Sequence, residues 1–290
     1  MLYPGGGSLP GYSNKENPMK KHLSTIVFLR IFLIGLSLLL YPTVSDYWNS
    51  LHQSRVIADY TKQVADLDND TYDQIWEEAR EYNRLLPGKT NRYRLTEEEK
   101  EEYKQLLSLS SGGVMGYIEI PSIKCHLPIY HGTDEGVLQV AIGHIEGSSL
   151  PTGGAGTHCV LSGHRGLPSA KLFSELDKMK EGDAFVLRIL DEVLTYEVDR
   201  ILVVEPHEME PLEIEEGKDY CTLVTCTPYG INTHRLLVRG HRIENQEEEK
   251  PVRAAAEVVQ EETTLAAPLV IAPLLLLLLI IILITTRRRK

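Results

Sequence analysis

A chain of 290 residues, 42% hydrophobic and 24% charged, is long enough for one large folded domain or two small ones with a real core. Its formal net charge of -11 argues against nucleic acid as a partner, because a polyphosphate backbone selects a cationic surface. The four cysteines, Cys125, Cys159, Cys221 and Cys226, suggest no disulfide framework. Two of them lie in apolar strand-like runs, and Cys221 and Cys226, five apart, point to opposite faces of a flat strand.

In chain order, residues 1–22 begin with a Gly/Ser/Pro-rich stretch and read as a disordered cytoplasmic tail. Residues 23–40 are almost all apolar, with Arg30 inside the run, and match the length of an uncleaved transmembrane signal anchor. A second apolar run, residues 265–286, precedes the basic tail 287–290. Lys20 and Lys21 before the first run and Arg287–Lys290 after the second put both ends in the cytoplasm and everything between them outside. An acidic stretch over 244–264, with Pro251 and little hydrophobic period, reads as a solvated stalk.

Residues 41–112 form a helical arm. Ile57, Tyr60, Val64 and Leu67 recur every three or four positions in a pattern that runs to about Tyr82. Leu86-Pro-Gly-Lys-Thr90 interrupts it, and Thr96-Glu-Glu-Glu99 is a capping box for a short helix to Leu107. The arm reads as a spacer. After Gly113 the pattern changes to short β-branched runs at 114–120, 123–130, 157–162, 184–189, 194–204, 220–226 and 235–243, with one helix expected over 170–179. Many short strands and few helices predict a mainly β fold, with a single β-barrel over residues 113–243.

The run from Thr222 to Arg235 carries the chemistry. A strand ends in Cys226, a turn with Pro228 and Gly230 follows, and the next strand opens with Arg235. A thiol needs a base or a positive neighbour to act as a nucleophile, and an arginine can hold an oxyanion. Among ten histidines, His164 is best placed, since it follows an apolar strand and stands in Gly163-His-Arg-Gly166. His158 and His234 remain open alternatives. No Cys-x-x-Cys or His-x-x-x-His spacing occurs, so no metal is expected, and no phosphate-cradling loop is evident.

Leu161-Ser-Gly-His164-Arg-Gly-Leu-Pro168, Thr222-Leu-Val-Thr-Cys226 and Arg235 together resemble the sortases. The turn Thr227–His234, Gly116-Tyr-Ile-Glu-Ile-Pro121, Leu127–Thr133 and Ser169–Phe173 are similar to the pilus-assembling class C branch. The resemblance implies a sortase-type eight-stranded β-barrel, with the helical arm and two flanking transmembrane helices, on the outer face of a Gram-positive cell membrane. It further implies Cys226 as nucleophile, His164 as general acid or base, and Arg235 as oxyanion stabiliser. The implied reaction cleaves a Leu-Pro-x-Thr-Gly-like sorting signal between Thr and Gly through a thioacyl-enzyme. The acyl group then passes to a lysine amine of another pilin subunit.

One departure stands out. Class C enzymes usually carry a lid with an Asp-Pro-aromatic motif before the barrel, and Leu85–Arg94 offers only Tyr93, which reads as part of a surface loop. Two other functions compete with pilin polymerisation. One is a housekeeping sortase that attaches surface proteins to cell-wall peptide, and the other is a non-catalytic membrane-tethered scaffold.

Overall fold

The computed structural model describes residues 18–109 and 112–245, with side chains from Val27 onward. The N-terminal tail to residue 17, most of the acidic stretch, the second apolar run and the basic tail lie outside the described residues. The chain divides into two units, Met1–Tyr41 and Pro42–Lys290. Helix α1 (Pro18–Ala65) runs through the boundary without stopping at Pro42.

In the first unit the side chains of Phe28, Ile31, Ile34, Leu38 and Leu39 are exposed. A row of this kind is costly in water and favourable in lipid, and the segment is long and apolar enough to cross a membrane.

The second unit opens with the rest of α1 and α2 (Asn69–Leu85). The helical pattern expected to run on to Tyr82 is split, because Asp68 caps α2 by accepting from the Thr71 amide at 2.9 Å. The capping box at Thr96 is complete, with Thr96 and Glu99 each accepting the other's backbone N–H, and starts α3 (Glu97–Gln105).

The arm is more than a spacer. Ile57, Tyr60 and Val64 of α1, Trp76 and Ala79 of α2 and Tyr103 of α3 share one buried core with the barrel. The Tyr60 hydroxyl donates to the Met115 carbonyl at 2.8 Å and accepts from the Leu190 amide at 2.7 Å. The Asn83 side chain brackets Leu150, donating to its carbonyl and accepting from its amide. Such buried polar groups are costly unless paired, so these bonds fix where each helix docks.

Eight strands follow: β1 (Val114–Ile120), β2 (Cys125–His131), β3 (Ile142–His144), β4 (Thr157–Ser162), β5 (Ala184–Ile189), β6 (Glu192–Val204), β7 (Asp219–Thr227) and β8 (His234–Arg242). They close into a barrel in the order β1-β2-β3-β4-β7-β8-β6-β5, with the eight strands that the resemblance implied. The β2–β3 and β4–β7 pairs are parallel and the others antiparallel.

Strand β4 is buried on both faces. Cys159 and Leu161 belong to the main core, while Val160 lies with Val224 and Leu237 beneath Leu212 of the β6–β7 connection. That double burial explains its unbroken apolar sequence.

The helix expected over 170–179 does not form. Only a short 3-10 turn, Leu176–Lys178, is present, and Leu172 has a φ of 40° that no α-helix admits. The segment is tied elsewhere: the Phe173 amide donates to the His164 carbonyl, and the Lys171 amide donates to Asp46 of α1. Tertiary bonds override the helical propensity of Ala-Lys-Leu-Phe-Ser-Glu-Leu.

Candidate active site

Strands β4, β7 and β8 are neighbours in the barrel, and their register sets the site. Cys226 of β7 lies directly opposite Arg235 of β8, and side chains of opposed residues share a face. On the other side, β4 runs parallel to β7 with Ser162 beside Val224. The chain keeps that course beyond the strand, because the Gly163 amide donates to the Val224 carbonyl at 3.0 Å. The Thr225 hydroxyl also donates to the Gly163 carbonyl, at 2.8 Å. Carried two residues further, the same register brings His164 level with Cys226. Cys226 and Arg235 are thus paired across β7 and β8, and His164, two residues past the end of β4, lies at the same end of the barrel.

All three residues are half-buried, open to a reactant yet partly shielded. The Arg235 guanidinium donates to the carbonyls of Asn232 and His234 in its own turn, so it is held before any ligand arrives.

The other cysteines sit in different surroundings. Cys159 and Cys221 are adjacent on β4 and β7 inside the barrel, and burial pushes the Cys125 thiol up to about 12. Against the raising effect of burial, hydrogen bonds from Cys221 and His144 draw the Cys159 thiol down to about 6, but Cys159 and Cys221 are sealed from any substrate and Cys125 is held in its thiol form.

The rival histidines separate by their bonds. His144 is wholly buried and satisfied, donating from Nε2 to the Ser149 carbonyl and bonded at Nδ1 by the Tyr103 hydroxyl. His131 is buried between the Gly113 and Leu106 carbonyls. His158 stands at the start of β4, away from Cys226. A carbonyl only accepts, so its Nδ1 donates to Glu213, and its Nε2 then accepts from the Thr222 hydroxyl. His234 does reach the rim, opposite Thr227, with its ring bonded to Thr233. Among the histidines weighed from sequence, His164 and His234 alone lie at the Cys226 end of these strands.

Burial, acting as loss of hydration, pushes His158 down to about 4. The unfolded chain then binds a proton near pH 6.5 that the folded chain refuses until about pH 4. Stability is complete above pH 6.5 and falls across that window, by about 3 kcal/mol for a depression of this size. Urea melts at pH 7 and pH 4.5 are expected to show this loss, and His158→Gln is expected to flatten it.

Gly163 is needed for close approach. A Cβ there would stand 2.6 Å from the Phe173 ring and 2.9 Å from Ile142 Cγ2, and both neighbours are fully buried. Gly163→Ala is expected to cost about 1–3 kcal/mol and to lower turnover by shifting His164, measured by urea melts and kcat together.

Tyr93 does not reach Cys226. Its hydroxyl bonds the Leu212 carbonyl, while Arg92, buried beside it, pairs with Glu213, whose carbonyl takes His158. The segment Leu85–Arg94 is largely exposed, as expected of a surface loop, with Leu86 and Arg92 buried and Tyr93 half-buried.

A family model described as the Sortase domain matches residues 118–243. Sortase C1 from Streptococcus agalactiae is 53% identical, with a TM-score of 0.65, over 66% of this chain and 100% of that one. The chain belongs to the sortase family.

Within the family it falls in the class C branch. Sortase C from Clostridium perfringens, solved with the C-terminal cell wall sorting motif, is 45% identical with a TM-score of 0.59, over 66% of this sortase and 100% of that chain. Sortase D from Bacillus subtilis (strain 168) is 29% identical over 46% of this chain. Sortase A from Bacillus anthracis is 31% identical, also over 46% of the chain. The matches span 66% and 61% of the lengths of those two relatives.

Several residues that shape this sortase's site escaped the sequence reading. Thr225 carried a signal, as a hydroxyl beside the cysteine on an inward position of β7. Asp46 and Asn49 carried none. They lie in α1 and bond Lys171 and Ser169 of the loop after His164, more than a hundred residues away in sequence.

Proposed function

We propose that the chain is a membrane-anchored cysteine transpeptidase that polymerises pilins. The observation that carries the proposal is the pairing of Cys226 on β7 with Arg235 on β8, together with the β4–β7 register that, extended two residues past Ser162, sets His164 level with Cys226. A thiol between an imidazole and a fixed guanidinium suits acyl transfer through a covalent intermediate.

In this reading the Cys226 sulfur attacks the threonine carbonyl carbon of a Leu-Pro-x-Thr-Gly-like signal. The carbonyl oxygen becomes an oxyanion facing the Arg235 guanidinium. Protonated His164 gives its proton to the glycine nitrogen as the C–N bond breaks, leaving a thioacyl-enzyme. Neutral His164 then takes a proton from a lysine amine of a second pilin as that nitrogen attacks, and the Cys226 sulfur leaves as thiolate. The product is an isopeptide bond, with no net oxidation and no cofactor. Protein supplies every group the step requires.

The likeness to sortase C structures, one of them solved with a sorting motif, supports the substrate class. The apolar helix before the barrel supports anchoring to the membrane. The basic residues outside both apolar runs favour two spans with the barrel outside the cell.

The full chain in detergent, mixed with a sorting-signal peptide, a pilin and a cell-wall peptide amine, tests the proposal. Ladders joined through pilin lysine are the expected product. Transfer to the cell-wall amine alone makes this a housekeeping enzyme, and no transfer by a folded chain leaves a scaffold.

A further inference from the structure

Arg165, next in sequence to His164, takes no part in the chemistry proposed above, yet it contacts Asp177, Thr227 and Tyr229 at once. Its side chain is 9% exposed. One nitrogen, Nη2, pairs with Asp177 in the 3-10 turn after the His164 loop. The other, Nη1, donates to the Thr227 hydroxyl at 3.3 Å, one residue beyond Cys226. The guanidinium carbon lies 5.8 Å from the centre of the Tyr229 ring, in the turn that leads to Arg235. That ring also closes on Gly166, where an added Cβ would stand 3.0 Å from it. The Arg165 Nε–H is buried with no hydrogen-bond partner among the described residues, so the side chain holds this position at some cost.

These contacts join three pieces of chain: the loop bearing His164, the strand end bearing Cys226, and the turn before Arg235. A planar guanidinium can bond two partners in fixed directions and stack on a ring at once, which an ammonium cannot. We propose that Arg165 is a positioning residue, which holds the His164 loop against the end of β7 so that the imidazole meets the Cys226 sulfur. The inference rests on the roles proposed for His164 and Cys226. It adds that their alignment is set by a bridge from Asp177 through Arg165 to Thr227.

The test uses the full chain in detergent with a sorting-signal peptide and an amine acceptor. Wild-type turnover that is lost in Cys226→Ala establishes the underlying reading first. If that control fails, the reading itself has failed, whatever Arg165 does. Given the control, Arg165→Met is expected to lower kcat about 10²-fold with little change in KM, as for a displacement of about 1 Å between reacting groups. The pH profile of kcat is expected to shift, because the imidazole loses its fixed partner.

Arg165→Lys keeps the charge and is expected to recover only a small part of the loss. Asp177→Asn and Thr227→Val each remove one arm of the bridge and are expected to give smaller losses of the same kind. These two milder variants carry the test if Arg165→Met does not fold. Wild-type kcat and pH profile in both of them, or full rescue by Arg165→Lys, overturns the proposal.

Discussion

Cys226→Ala is expected to lower transpeptidation by about 10⁴-fold or more while leaving the barrel folded. The size follows from the chemistry: without the sulfur there is no covalent intermediate, and water lacks both its nucleophilicity and its place. No other thiol can substitute. Cys159 and Cys221 are sealed inside the barrel, and burial holds Cys125 in its thiol form. The fold is expected to persist because Cys226 is half-buried at a strand end, and its backbone pairing with Arg235 does not use the side chain. Peptide cleavage assays and far-UV circular dichroism on the same sample separate lost chemistry from lost structure.

Arg235→Ala is expected to lower kcat by about 10²–10³-fold, with a smaller effect on KM. The guanidinium is already tied to the Asn232 and His234 carbonyls, so it needs little reorganisation when charge develops on the substrate oxygen. Its value is therefore concentrated in the transition state, which is the signature of a kcat effect. Arg235→Lys keeps the charge but loses the planar guanidinium, whose Nη1 is tied to both carbonyls while its other N–H groups stay free of them, and is expected to recover only part of the rate. Steady-state kinetics on the peptide substrate check both variants. A loss confined to KM would place Arg235 in ground-state binding instead.

Much of the barrel was legible because its strands are double-sided. The runs 157–162 and 184–189 were bounded as the structure has them, since apolar residues on both faces leave little room for another reading. Strand β3, Ile142–His144, was missed. Three residues centred on a glycine carry no period, and only its pairing with β2 and β4 makes it a strand. The expected helix at 170–179 failed for the opposite reason: the local propensity was real, but bonds to Asp46 and His164 outweighed it.

The site was legible in part. Cys226 and Arg235 stood out as a strand end and the next strand's start, and hairpin pairing placed them opposite one another. The histidine was harder, because His158, His164 and His234 all flank strands. What sequence lacked was the parallel pairing of β4 with β7, which aligns His164 with Cys226 and carries His158 to the far end. Thr225 and Arg165 act through contacts some 62 residues away in the chain, and local pattern does not contain such contacts.

The central claim is that Cys226 carries the substrate as a thioester within the His164–Cys226–Arg235 site. Intact-mass and peptide-map spectrometry of the full chain, mixed with a sorting-signal peptide and no amine acceptor, tests it most directly. One added mass equal to the peptide up to its threonine is expected, mapped to Cys226, released by hydroxylamine and consumed by a pilin lysine. Turnover in the Cys226→Ala chain, or an adduct mapped to another residue and passed on to pilin lysine, contradicts it.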